Sequence, residues 1–400
     1  MSRKLSIFIS HGSHYLTDHA QHGDGLVAYG FIRELARRGH ELYVAAPVID
    51  LQTPLPDNVH LYDLTARTGP GFRQLEYMVR SRALLDSIRR NHHIDLIHQL
   101  NPVVRGLSIS MVGSGLPVVL GTFVGDWPTG APSLRSFEGI RLGIGSAFKA
   151  ALDIVQQQSA QALLITTPAA RNRMPWPDAV AKKTFIVSHG IDATQFAPSA
   201  EADSNGKRIL FLNGIWRHKG IYTLLDAFDV VARRVPDARL VIAGHGPESD
   251  GVRERAARSE AADRIEIVGR VDRTRVPEFM NACAVHCLPS FGEPYGQSVL
   301  EAMACGKPVV VTNTGGIRYL VPEGGGYKVP PGDAPALAEA LVTILSSASL
   351  RAEMGAINRR VVEEQHRWER VGDRLEEVYS SVLRPDIDAV RKGAPAQSSV

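Results

Sequence analysis

Long uninterrupted apolar runs are missing from this chain of 400 residues. No stretch reaches the roughly 18 to 20 apolar residues that a membrane-crossing helix requires. The nearest approach, Leu107 to Val124, is broken by Gly113, Ser114, Gly115 and Pro117 into a helix end, a turn and a strand. The opening MSRKLSIFIS reads as a strand whose apolar run is too short for a secretory signal. Cysteine is scarce: Cys283, Cys287 and Cys305 cannot supply a disulfide framework and fit a reduced compartment. Basic blocks are also lacking, and with a net charge of +3 there is no electrostatic footprint for nucleic acid. Between Arg135 and Lys183 the cations Arg135, Arg141, Lys149, Arg171, Arg173, Lys182 and Lys183 outnumber Glu138, Asp153 and Asp178. That excess reads first as solvated surface, and second as contact with an anionic acceptor or a membrane. The expected location is cytoplasmic, with peripheral contact at the inner membrane face as an extension of that reading.

What the chain has in quantity is alternation. Short β-branched runs at Leu5–Ser10, Glu41–Ala46, Leu96–His98, Pro117–Gly121, Ala162–Thr166 and Thr184–Val187 are separated by helical stretches, the pattern of a parallel sheet covered on both faces. A second series follows at Arg208–Asn213, Arg239–Ala243, Ile265–Val268, Val285–Leu288, Val309–Thr312 and Tyr327–Val329, with helices at Ile221–Arg234, Val276–Asn281, Ser298–Cys305 and Pro335–Ser346. The polar segment Ala200–Lys207 is the predicted linker. Two doubly wound Rossmann-like α/β domains are therefore expected, at 1–198 and 207–365, facing across a cleft. The amphipathic stretch 366–384 carries Trp368, Val371, Leu375, Val378 and Tyr379 on one face, and the polar tail 385–400 is predicted to be disordered.

The most informative stretch runs from Pro289 to Gly316. A strand ends at Leu288, a turn-rich loop carries Glu293, and a helix carries Glu301 before Gly306 stops it. The backbone amides of Tyr295, Gly296 and Gln297 would face outward at the helix start, where the partial positive charge favours a phosphate or a hydroxyl-rich ligand. Glu301 follows an apolar Val-Leu pair, so a partner is needed to offset its desolvation; the plainer reading is a helix cap or ion pair. Upstream, GIWRHKG places Arg217 and Lys219 just before a helix, where cations oppose the helix dipole and so ask for an anionic partner or solvent. Gly244 and Gly246 follow one strand and Val271 follows another; glycine after a strand is common in any α/β protein.

The Pro289–Gly316 stretch resembles the signature of the family four retaining glycosyltransferases (glycosyl transferases group 1), whose Glu-x7-Glu element binds a nucleotide-sugar donor. The resemblance implies the GT-B architecture. It also implies that Glu301 holds the ribose hydroxyls, Glu293 the donor hexose, and Lys219 with Arg217 the diphosphate. Gly244, Gly246 and Val271 would line the donor loops, Gly23 and Gly25 would form the glycine loop before the first long helix, and Tyr295, Gly296 and Gln297 would meet the donor at the helix start. His98, at the carboxyl end of a buried strand, would contact the sugar near the reacting carbon, although a satisfied core histidine is the competing reading. Asp126 and Trp127 would meet the acceptor. Two departures stand out: the Gly214–Gly220 loop is one residue shorter than the family pattern, and Leu100 stands where many relatives carry a second histidine.

The expected activity is metal-independent, retaining transfer of a hexose from a nucleotide diphosphate sugar, expected to be a UDP-sugar, to a hydroxyl acceptor. No cofactor and no metal is expected. His11, His14, His19 and His22, and the set Cys283, His286 and Cys287, have spacings that invite a zinc reading, but neither fixes a tetrahedral ligand face. Alternatives on the same architecture are a nucleotide-sugar epimerase, a phosphorylase, or a non-catalytic nucleotide-sugar-binding module.

Overall fold

A computed structural model describes residues 3–383, apart from 13–14, 21–22, 70–71, 101–106, 124–151, 153, 172–173, 175–176 and 200–205. Two parallel sheets organise the described residues. The first contains β1 (Ser6–His11), β3 (Glu41–Ala46), β5 (Val59–Asp63), β6 (Leu96–Leu100), β7 (Val118–Phe123), β8 (Ala162–Ile165) and β9 (Thr184–Ile186), in the order β5-β3-β1-β6-β7-β8-β9. The second contains β10 (Arg208–Leu212), β11 (Arg239–Ala243), β12 (Ile265–Gly269), β13 (Val285–Leu288), β14 (Val309–Thr312) and β15 (Gly326–Val329), in the order β12-β11-β10-β13-β14-β15. A two-stranded parallel pair, β2 (Leu16–Thr17) with β4 (Ile49–Asp50), lies apart.

In each sheet the strand order reverses direction beside its first strand, between β1 and β6 and between β10 and β13. Such reversal points open a crevice at the carboxyl ends of the strands, because the flanking helices leave on opposite faces. Their central strands are buried along their length: His286–Leu288 of β13 pairs with Val309–Val311 of β14, and all six residues are buried. The helix Ile221–Arg234 lays Leu224, Phe228 and Val231 on the second sheet at helical spacing. The helix Gly23–Arg37 does the same for the first with Val27, Phe31 and Leu35.

The last described helix, Trp368–Leu383, crosses back to the first domain as the amphipathic pattern predicts. Trp368, Val371, Leu375, Val378 and Tyr379 all join the core beneath β1 and β6. Gly30 makes the crossing feasible, since a Cβ there would fall 2.0 Å from Cζ2 of Trp368. Arg38 binds Asp373 at 2.9 Å and Glu376 at 3.0 Å across the same seam.

Elements missed by the sequence reading are β5 and the helices Arg73–Ile88, Ser249–Ala257 and Ala348–Val361. Each is half exposed, so its apolar periodicity is thin. The linker is in part, and the tail from 384 wholly, outside the described residues.

Candidate active site

The loop between β13 and the helix Gln297–Ala304 is shaped by glycine. Gly315 has φ of 60°, and a Cβ on it would sit 2.4 Å from the Glu293 carbonyl oxygen; one on Gly316 would sit 1.7 Å from that of Pro294. This close approach lets the amides of Gly316 and Ile317 donate to the Glu293 carbonyl at 2.9 and 3.2 Å. With its backbone fixed, Glu293 turns its carboxylate to Lys219, whose Nζ lies 2.6 Å from Oε2. Lys219 is delivered by the Gly214–Gly220 loop. Gly220 seats against the Pro289 carbonyl at a left-handed φ of 75°, and the Phe291 amide donates to His218 O at 2.8 Å. Residues 74 apart in sequence thus meet where β10 and β13 end.

The helix begins at Gln297, one residue before the predicted Ser298, with Gly296 at the N-cap in the left-handed region at φ 94°. Gly296 O accepts from Val299 and Leu300, which leaves the amides of Gln297 and Ser298 without an intrahelical acceptor. Tyr295 departs from its expected place. Its ring is buried in the seam between the domains, its hydroxyl donates to the His189 carbonyl at 3.2 Å, and the same hydroxyl lies 3.2 Å from His366 Nδ1.

Glu301, 2% exposed, hydrogen-bonds to the Arg273 guanidinium. Burial pushes its carboxyl up from the ordinary value, and the charge and hydrogen bond of Arg273 oppose that rise. Arg273 also stacks 4.8 Å over the Phe196 ring. Sequence reasoning missed Arg273 because nothing local singles it out; its partner is 28 residues away.

Beside this pair opens a cavity of about 380 Å³ that includes Trp216, Gly244, His245, Val271, Arg273 and Glu301 in its wall. Gly244 and Gly246 are required by close packing: Cβ atoms there would fall 1.8 Å from Asn213 O and 2.2 Å from Ile215 O. Gln297 and Arg273 also border a neighbouring cavity of about 250 Å³ toward Tyr29, Arg33, Asp192 and Trp368.

Four other expected contributors, Arg217, His98, Gly25 and Gly23, are placed by their local surroundings. Arg217 has a side chain 79% exposed, sits over the Tyr222 ring and lies 3.9 Å from Glu248; the tight turn that points Lys219 inward points Arg217 outward. His98 turns into the core instead of the cleft. Its Nδ1 accepts from Tyr379 Oη at 2.6 Å, its Nε2 donates to Gly121 O at 3.0 Å, and burial pushes it down to about 4, so the ring is neutral. Gly25 packs within 2.6 Å of Tyr15 O as measured from a notional Cβ, a structural reason for glycine there, whereas Gly23 has open space around it. Asp126 and Trp127 lie outside the described residues, as do His14 and His22. Among the described residues no group of three or more His, Cys, Asp or Glu side chains is arranged to hold a metal. Cys283, His286 and Cys287 are core residues; burial lifts Cys283 to about 12 and depresses His286 to about 4.

Two family models match the chain. The glycosyl transferases group 1 model covers residues 192–361, and the glycosyltransferase family 4 model covers residues 23–195. The N-acetyl-alpha-D-glucosaminyl L-malate synthase of Bacillus anthracis is 25% identical over 91% of this chain and 95% of its own length. The phosphatidyl-myo-inositol mannosyltransferase of Mycobacterium tuberculosis is 29% identical over 72% of this chain and 74% of its own. Among solved structures, Anabaena HepE in complex with UDP and glucose is 17% identical and superposes with a TM-score of 0.69, covering 94% of this chain and 100% of that one. With both halves matched and two facing Rossmann-like domains of the GT-B type, the chain belongs to the group 1 glycosyltransferases.

Proposed function

We propose that the protein is a retaining hexosyltransferase that moves a sugar from a UDP-sugar to a hydroxyl acceptor without a metal ion. The observation that carries the reading is the meeting of Lys219 and Glu293 at 2.6 Å, on the two loops whose Gly214, Trp216 and Gln297 line the same cavity as Glu301. A donor spanning from that cavity to the ion pair would meet a cation, a hydrogen-bond acceptor and a second carboxylate. Glu301 would take the ribose hydroxyls, with Arg273 orienting its carboxylate. Glu293 would take hydroxyls of the hexose, and Lys219 the diphosphate. The binding of UDP in HepE and the sugar transfers named for the curated relatives support a nucleotide-sugar donor.

Breaking the bond between the anomeric carbon and the diphosphate oxygen places negative charge on the leaving group. Lys219 and the unpaired amides of Gln297 and Ser298 are positioned to stabilise that charge most where it is greatest. The acceptor oxygen forms the new bond on the same face, and its proton passes to the departing phosphate. Glu293 and Glu301 both belong to one domain and serve recognition, so no protein acid and base pair flanks the scissile bond as in glycosidases. His98 acts here as a positioning residue, holding the returning helix through Tyr379.

Calorimetry with UDP-sugars and GDP-sugars, followed by turnover with an acceptor panel in EDTA and anomer assignment by NMR, tests this. The expected result is micromolar binding of a UDP-sugar, roughly 8 kcal/mol at that affinity, and a product of unchanged anomeric configuration. Inverted product, or a rate abolished by EDTA, sinks the reading.

A further inference from the structure

The helix Arg73–Ile88 carries an exposed apolar stripe that no other element covers among the described residues. Phe72 is 67% exposed, Leu75 58% and Val79 62%, at spacings of three and four that stack them along one face. Arg82 extends the stripe by donating to the carbonyls of Ser110 and Val112 at 3.1 and 3.2 Å, which brings Val112, 46% exposed, alongside. Scattered exposed apolar residues are ordinary; a contiguous row on one helix is not. The flanking cations are Arg73 and Arg80 on one side and Arg82 on the other, with Arg89 and Arg90 just past the helix end; Arg80 pairs with Glu76 at 3.3 Å and Arg82 with Asp86 at 3.0 Å, and Asp86 falls within the row by helical spacing. Only Glu76 and Asp86 oppose these five arginines between 73 and 90.

We infer that this face docks the enzyme on an anionic lipid surface. An apolar row with cationic borders matches a bilayer interface, where apolar side chains enter the acyl boundary and arginines meet headgroup phosphates. A second copy fits poorly, because a two-fold pairing of the face would set arginine rows against one another. The placement has a consequence for the reaction. The helix follows β5, the outermost strand of the first sheet, and β5 runs parallel to β3 and β1, so the helix starts on the carboxyl side of that sheet. A membrane held there would present a lipid-borne hydroxyl acceptor beside the site; that last step rests on the transfer proposed above, whereas docking does not.

Co-sedimentation of the full chain with vesicles tests it, using phosphatidylcholine alone and phosphatidylcholine mixed with phosphatidylglycerol, without donor. The chain should pellet with the anionic vesicles only, and 0.5 M salt should release it, since exposed attractions are screened within about 4 to 5 Å at that strength. Leu75→Glu with Val79→Glu should weaken partition by at least about tenfold, and Arg73→Glu with Arg90→Glu by roughly fivefold per arginine removed. Thermal midpoint and UDP affinity should not move, which separates docking from folding and from donor binding. Wild-type protein left in the supernatant, equal binding to neutral vesicles, or variants that pellet like wild type would overturn the inference. So would a lipid-free dimer abolished by Leu75→Glu, which would assign the face to a second copy. Vesicle binding with no affinity for any nucleotide sugar would sink the proposed transfer and leave docking intact.

Discussion

Glu301 is a carboxylate whose burial opposes folding, and in the function proposed above its position serves donor binding. Its pKa is raised above 4.5 by burial, so the folded state favours the protonated form, and the penalty for ionising it grows as pH rises from 4.5 to the raised value and is full above it. Glu301→Gln should therefore leave the thermal midpoint at pH 7.5 unchanged or raise it, because Arg273 is partly exposed and water can replace its partner. The same variant should weaken UDP-sugar binding by about tenfold or more, the cost of one charge-assisted hydrogen bond to a ribose hydroxyl. Scanning fluorimetry and calorimetry on one preparation separate the two effects; a midpoint that falls while affinity holds would reverse the assignment. Lys219 predicts the opposite balance. Lys219→Ala leaves the buried Glu293 carboxylate without its cation at 2.6 Å, so stability should drop by about 1 to 3 kcal/mol. In the proposed reaction it also removes the charge that would face the leaving diphosphate, so kcat/KM should drop by about 100- to 1,000-fold, read in steady-state kinetics on the UDP-sugar that binds.

At the scale of elements, the returning helix is held by a buried polar contact as well as by its apolar face. Tyr379→Phe would strip the hydroxyl from His98 Nδ1 at 2.6 Å, in a place water does not reach, and should cost about 1 to 3 kcal/mol in urea denaturation. If His98 served the cleft and not the core, the same variant would change kcat with little change in the urea midpoint. This pair also marks where the sequence stopped being readable. Val285–Leu288 and Val309–Thr312 were legible because strands buried on both faces write continuous apolar runs, and the boundaries agree with the structure. Trp368 to Tyr379 was legible because one face repeats at helical spacing. Arg73–Ile88 was not, because its exposed face carries Leu75 and Val79, and that blurs the contrast on which periodicity depends. Within the site, Lys219, Glu293 and Glu301 were visible through the resemblance; the first two meet at 2.6 Å, and Glu301 pairs with Arg273 in the cavity wall. Arg273 was invisible since a tertiary ion pair leaves no local pattern, and His98 was ambiguous since a strand end does not state which way its side chain turns.

At the scale of the whole molecule, the joint between the domains is built from neutral imidazoles. His189 lies 3.2 Å from Thr122 Oγ1 of the first domain and 4.4 Å, ring to ring, from Tyr295 of the donor loop. His366, which precedes the returning helix, lies 3.2 Å from the Tyr295 hydroxyl, and its carbonyl accepts from the Ile191 amide at 2.7 Å. Burial holds His189 at about 3 and His366 at about 4, and a charge on His366 would oppose one on His189; Gln297 is the hydrogen-bond partner that favours the charged form of His189, and the His189 backbone favours that of His366. An unfolded chain protonates these rings near 6.5, whereas the folded chain resists until near 4. The stability they contribute is thus full above pH 6.5 and is lost as pH falls toward their folded values, at about 1.4 kcal/mol per pH unit for each ring. His98 and His286, also near 4, add to the same slope from inside the two sheets. The thermal midpoint should accordingly fall steeply between pH 6.5 and 4.5. His366→Gln should flatten that slope by one histidine's share while lowering the midpoint at pH 8, where the ring is already neutral and only its packing against Tyr295 is removed. A midpoint that stays level from pH 7 to 5 in the wild-type protein would mean that water reaches this joint and that the imidazoles are not holding it shut.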